Sequence, residues 1–258
     1  MQQFEPVTTL AVYHPARLTP NSSCADAAVC QVRLQPLSAS KRHENHHKLA
    51  SIGMRRDTMI DFTPVDNKTQ QILEFAQNYT IDDMRQATNE SIDFMHDMVR
   101  DLSDADVTFD PLDPLADDPR AKEGEEKIGW SLAHLVAHVT ATSEEWAAYS
   151  PILARGISYP AEPRLRYETD WKTLTTHAQV IQRLEESRRL RLAALDMWPD
   201  SPDLDIKRQI SPRFIEMFGE FNAPAAFLFG LKHEIGHRAQ FEDVRQQALA
   251  ARQVQRES

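Results

Sequence analysis

Glycine is scarce in this chain, with 7 among 258 residues, and tryptophan is scarcer still at 4. Set against an apolar fraction of 41%, a charged fraction of 26% and long stretches of Leu, Ala, Glu and Arg, that shortage favours helices over sheets. Cysteine is nearly missing. Cys24 and Cys30 both fall in the least patterned stretch, which argues against a disulfide framework and against a thiolate metal site. A transition metal would therefore need nitrogen and oxygen ligands. Positive charge is in deficit: the net charge is −10 and the pI is near 5.5. Without a diffuse basic field to draw it onto a phosphate backbone, the protein is not expected to bind nucleic acid. Nor does any apolar run approach the roughly 18–20 residues needed to cross a bilayer, and the N-terminus lacks a charged segment followed by an apolar one. The expectation is a cytoplasmic protein with no membrane partner.

Residues 1–53 carry scattered Pro and Ser, a polar His43–His47 cluster and no sustained period of 2 or 3.6, so they read as a disordered extension. Met54 and Met59 stand just before the first patterned segment as alternative starts, which would make residues 1–53 a mis-assigned leader. Residues 54–74 form a lead-in. From there the pattern is helical. Thr80-Ile81-Asp82-Asp83 is a capping box, and Ile81, Met84, Ile92, Met95, Val99 and Leu102 form one stripe behind it. The Asp/Pro-rich run at 110–114 ends that helix, and a loop continues to about residue 127. A second helix starts near Trp130-Ser131 and is expected to stop at Pro151. A proline-punctuated loop spans 151–169. A third helix is predicted over about 170–197, with Leu174, Ala178, Ile181, Leu184, Leu192 and Leu195 inward and Arg188-Arg189-Leu190-Arg191 on its solvated face. Asn222-Ala223-Pro224 opens a fourth, running to about residue 251. Four long striped helices predict an all-α four-helix bundle over residues 75–251, with a short tail at 252–258.

The most informative stretch is His233-Glu234-Ile235-Gly236-His237. Residues at i and i+4 stack on one helix face about 5–6 Å apart at Cβ, so both rings can converge on one divalent ion. His134 and His138 repeat the spacing on the second helix. Ala226, Gly230, His233, His237, Gln240 and Val244 share one line of the fourth helix, which points the imidazoles inward beside two small residues. Burying such rings without partners costs about 1–3 kcal/mol each, a cost that metal ligation offsets. Either His134 or His138 is available as the third ligand. Three histidines from two facing helices leave coordination positions open, as in a catalytic site. Imidazole suits Zn, Ni, Fe and Cu alike. Gln240 and Glu145 are candidate outer partners of the ligands. His96 and His177 lack i+4 partners and read as ordinary histidines.

His-Glu-x-x-His is also the zinc-protease signature, in which Glu234 would be the general base. Here the extended form with a further Gly and His is absent, since Arg238-Ala239-Gln240-Phe241 follows, and the 21 residues after His237 are too few for the missing subdomain. The protease reading is set aside.

Trp130-Ser131-Leu132, then His138, then a distant His233-x-x-x-His237-x-x-Gln240, resembles the DinB-like superfamily of four-helix bundles, over about residues 75–250. The resemblance implies that His138, His233 and His237 bind a divalent metal, with Zn, Ni or Fe foremost, and that His134 stands outside the set. It also implies a metal-dependent transferase or isomerase in which the ion activates a low-molecular-weight thiol towards a small-molecule substrate. The alternatives are a metal-dependent hydrolase and a non-catalytic, stress-related metal-binding protein. A homodimer is compatible with such bundles. This chain departs from the family pattern in its N-terminal extension and in the 151–169 loop, where Arg164 or Arg166 would recognise an anionic substrate or thiol carboxylate, unless the loop only packs.

Overall fold

The computed structural model describes residues 60–257 apart from residues 115, 119, 120 and 122. The expectations placed on residues 1–53, including Cys24, Cys30 and the His43–His47 cluster, lie outside that range. Two short helices, α1 (Thr63–Asp66) and α2 (Ile72–Ala76), come first. They are more than a lead-in, because Phe62, Val65, Ile72 and Phe75 are buried in the main core.

α3 (Ile81–Val99) begins where its capping box predicts. The Thr80 hydroxyl accepts the Asp83 N–H, and the Asp83 carboxylate accepts the Thr80 N–H. Its stripe of Met84, Ile92, Met95 and Val99 is buried. A short α4 (Asp104–Val107) follows, held by a second reciprocal cap between Ser103 and Asp106.

α5 (Leu132–Ala154) runs through Pro151 instead of stopping at it. Proline supplies no N–H for the Ala147 carbonyl, but the Ser150 hydroxyl donates to that oxygen at 2.8 Å and takes the missing donor's place. A 3₁₀ turn at Trp171–Thr173 occupies the region assigned to the third helix, and α6 itself spans His177–Asp196. Thr176 and Gln179 form the capping box that fixes this later start. α7 (Pro212–Phe218) is short. The fourth rod is capped by Asn222 as expected, then splits into α8 (Ala223–Gly236) and α9 (Arg238–Glu257), continuing past residue 251.

α5 is the central rod, packed most extensively on α8 and then on α6, while α3 closes the bundle against α6 and α8. Among the described residues there is no strand, and no helix long and apolar enough to cross a membrane. Contact between α5 and α8 is close at Gly230, where an added Cβ would lie 3.0 Å from Ser143 Cα and 3.2 Å from Trp146 Cβ. The space that this glycine leaves is therefore filled by the neighbouring helix and is not free room beside the histidines.

The core divides into two apolar clusters, one around Trp146, Phe221 and Phe227 and the other around Ile92, Leu135 and Val244. On each rod the residues between the clusters are polar and buried: Thr88 and Ser91, Thr140 and Ser143, Ser187 and Arg191, then Glu234. Arg191 does not lie on a solvated face. It falls seven residues after Leu184 and four before Leu195, on the inward stripe, and is only 1% exposed. Its Nη1 donates to Glu234 Oε1 at 3.1 Å, while the Ser91 hydroxyl donates to the same carboxylate and Ser143 Oγ lies 3.1 Å from its other oxygen.

Removing one member of such a pair leaves a buried charge without its counterpart. Arg191→Met is expected to lower stability by about 3–5 kcal/mol in urea unfolding. The double variant Arg191→Met/Glu234→Leu should regain most of that loss; equal destabilisation of single and double variants would refute the pairing.

Candidate metal centre

His138 rides on α5 and His233 on α8, and the close contact between Gly230 and Ser143 brings the two rods together about one helical turn away from them. His237 is the residue at which the fourth rod breaks. Its N–H bonds the Glu234 carbonyl three residues back at 3.1 Å, and the next helix resumes with Phe241 N–H on the His237 carbonyl at 3.0 Å. Gly236, a poor helix former, sits just before the break.

The structure brings His138, His233 and His237 together, with one ligand atom from each lying within 4.8 Å of the others. His138 Nε2 and His233 Nε2 are 3.1 Å apart. Ring centroids are separated by 5.1 Å for His138–His233, 5.4 Å for His138–His237 and 4.8 Å for His233–His237. His134 does not join them. Its ring stacks on Trp171 at 4.7 Å and meets Trp130 at 4.6 Å, and its Nδ1 is buried with no hydrogen-bond partner among the described residues. Trp130 walls the site, touching His138 at 4.6 Å and stacking over His237 at 6.1 Å.

Burial, followed by the charges of neighbouring histidines, favours the neutral form of His233 and His237. It pushes His233 well below its ordinary value, with His237 and His138 adding to the effect. His237 falls to about 4, through burial and then His138, although its bond to Gln240 opposes the shift. Gln240 Oε1 lies 2.9 Å from His237 Nδ1, so with the proton on Nδ1 the lone pair sits on Nε2. Neutral imidazoles are the form that ligates a metal. Two nitrogens held at about 2.0–2.1 Å by one tetrahedral ion stand about 3.3 Å apart, close to the 3.1 Å between His138 and His233. Donor type and spacing fit a divalent cation, and these three residues can hold one.

Other predicted roles fall elsewhere. Glu145 does not reach His138: it is buried, accepts from Arg164 Nε at 2.8 Å and accepts the Tyr149 hydroxyl at 2.7 Å. Arg164 is thus occupied by a carboxylate of this chain and is not offered to a substrate. Burial alone would raise the Glu145 carboxyl, but Arg164 and Tyr149 hold it below its usual range. Glu234, the base of the protease reading, is committed to Arg191 in the core. His96 pairs with Glu185 at 2.7 Å, away from the cluster.

Sequence reasoning missed Glu168. Its Oε1 lies 3.6 Å from His138 Nδ1, and its other oxygen accepts from Arg166. Burial acts to raise this carboxyl, yet His138 and Arg166 outweigh it and hold Glu168 at about 2. Arg166 also donates to Thr142 Oγ and, at 3.4 Å, to the His138 carbonyl. The signal was available in the alternation Arg164, Arg166, Glu168 with Leu165 and Tyr167 between them, the period of an extended segment with one charged face.

The buried histidines impose a pH dependence. His134 is lowered to about 4, chiefly by burial and then by His138. Below its ordinary pKa of about 6.5, the unfolded chain takes up a proton that the folded chain refuses. Stability therefore falls as pH drops from about 6.5 towards 4, by an amount on the order of 3 kcal/mol for such a ring. In the presence of a chelator, His134→Phe should flatten the plot of unfolding free energy against pH in that window. A slope identical to the parent's would contradict the assignment.

No curated protein and no solved structure matches the chain. Residues 109–241 match the sequence model of the DinB superfamily. That span holds α5, α6 and α8, all three clustered histidines, Trp130 and Gln240. With more than half of its length covered by that match, the chain belongs to the DinB superfamily.

Proposed function

We propose that His138, His233 and His237 hold one divalent ion and that the protein is a metal-dependent thiol S-transferase acting in the cytoplasm on a small electrophile. The observation that carries the reading is the convergence of three imidazoles from two facing rods, with ligand atoms within 4.8 Å. Membership of the DinB superfamily supports it. The thiol cosubstrate rests on the resemblance to thiol-dependent members of that family. When bound, the ion supplies a fixed positive charge that favours thiolate over thiol at neutral pH.

The chain's own groups set the conditions for that charge to act. Gln240 fixes the proton of His237 on the ring nitrogen away from the site. Trp130 covers one side of the cluster with apolar surface and keeps water from that side. Three protein ligands leave further positions for exogenous molecules, which suits chemistry better than a closed structural site. A hydrolytic reading would call for a base beside the open positions. Glu168 stands beside the cluster, but it faces the back nitrogen of His138 and is gripped by Arg166.

The test is elemental analysis of the untagged protein combined with turnover assays using several low-molecular-weight thiols and electrophiles, with and without chelator. One equivalent of Zn, Ni or Fe is expected. Each of His138→Ala, His233→Ala and His237→Ala should lower ion content at least tenfold and abolish thiol-dependent turnover. Chelator-sensitive turnover that needs no thiol would replace the transferase with a hydrolase. Full turnover in metal-depleted His138→Ala would end the catalytic reading, and unfolding on ion removal would make the ion structural.

A further inference from the structure

His138 has two ring nitrogens with opposite surroundings. Nε2 faces His233 Nε2 at 3.1 Å. Nδ1 faces the 164–168 segment, where Glu168 Oε1 stands 3.6 Å away and Arg166 Nη2 stands 3.5 Å away. A nitrogen that carries a proton cannot ligate a cation, so for Nε2 to serve, the ring's proton must reside on Nδ1 and find an acceptor there. Arg166 offers donors only. Its guanidinium also reaches Thr142 Oγ, the His138 carbonyl and the second oxygen of Glu168, and its contact with Nδ1 gives way once that nitrogen carries the proton. The carboxylate of Glu168 is thus the group suited to receive that proton, and Arg166 holds it in place.

The segment is built to present this carboxylate. In extended chain, alternate side chains face opposite ways, and here Arg164, Arg166 and Glu168 turn towards α5. Leu165 and Tyr167 turn outward, at 39% and 79% exposure. Arg164 anchors the segment through its paired bonds to buried Glu145, and the Leu165 N–H donates to the Tyr149 hydroxyl at 2.9 Å. Two turns of α5 are therefore tied to the loop on one side of His138, and Glu168 stands 3.6 Å from the ring itself. The Glu168 carboxylate stands at the ring nitrogen of His138 opposite the one that faces His233, and the set of side chains able to share an ion is His138, His233 and His237 without it.

We propose that Glu168 is a positioning residue of the metal centre: by accepting the Nδ1 proton of His138 it orients that ring, leaves Nε2 free to ligate and strengthens it as a donor, with Arg166 fixing the carboxylate. The inference rests on the three-histidine reading of the site and adds a fourth residue, from a loop, to the two rods that carry the ligands. Outer carboxylates in this role typically account for about 10–100-fold in metal affinity.

Cobalt(II) titration of the full-length protein after metal removal tests it, since one experiment gives both affinity and ligand field from the visible spectrum. Glu168→Ala is expected to weaken Co²⁺ binding about 10–100-fold, and Glu168→Gln, which keeps size but loses the charge, to weaken it by about tenfold. Band positions at saturation should match the parent's, because the same three nitrogens ligate. The metal-free unfolding midpoint of Glu168→Gln should stay at the parent value, which separates positioning of the ring from a general effect on folding. Parent-like affinity in Glu168→Gln and Glu168→Ala would overturn the proposal while leaving the three-histidine site standing. Shifted bands would overturn it by making Glu168 a ligand, and an affinity loss that only tracks a fall in metal-free stability would overturn it as a structural effect. Failure of the parent protein itself to bind Co²⁺ would sink the three-histidine site along with it.

Discussion

The seating of α5 on α8 at Gly230 governs this molecule. A Cβ at that position would crowd the Ser143 backbone and the Trp146 Cβ, so glycine lets the two rods lie this close. The Ser143 hydroxyl, 3.0 Å from the Gly230 carbonyl, ties the contact from the other side. One turn further along, the same approach sets His138 and His233 nitrogen to nitrogen. A larger residue there would force the rods to give by a few tenths of an ångström, and the ring contact one turn away would shift with them.

Beside this contact runs the polar layer that divides the apolar core. A buried ion pair is seldom a net source of stability, because desolvation offsets its Coulomb attraction. What the Arg191–Glu234 pair provides is registry. Apolar side chains slide past one another at little cost, whereas a carboxylate held by Ser91, Ser143 and Arg191 from three separate rods accepts one alignment only. Glu234 lies next to His233 in the chain, so the alignment it enforces is passed directly to the cluster. The fold thus places an expensive polar feature where positional accuracy matters most.

Much of this was legible in the sequence. Thr80 and Asn222 announced their helices because capping is local chemistry, written in residues three apart. The α3 stripe and the i,i+4 histidines were legible for the same reason, since one periodicity generates both. Elements failed where a neighbour outside the window intervened. Pro151 is tolerated because Ser150 replaces its missing donor, and Thr176, not Asp170, caps α6 through Gln179. Arg191 sat on the inward stripe all along, but a charge there makes sense only with Glu234, 43 residues away, in view. Glu168 was hidden by its setting in irregular chain, where no helical period marks which side chains face the core.

The interruption at His237 carries a consequence of its own. In an unbroken α-helix the gap between rings at i and i+4 is dictated by the pitch. Here the peptide turns between Gly236 and Arg238, and nothing crowds Gly236 within 4 Å of where a Cβ would stand. The spacing of the His233 and His237 rings is therefore set by the geometry of this break and not by helix pitch alone.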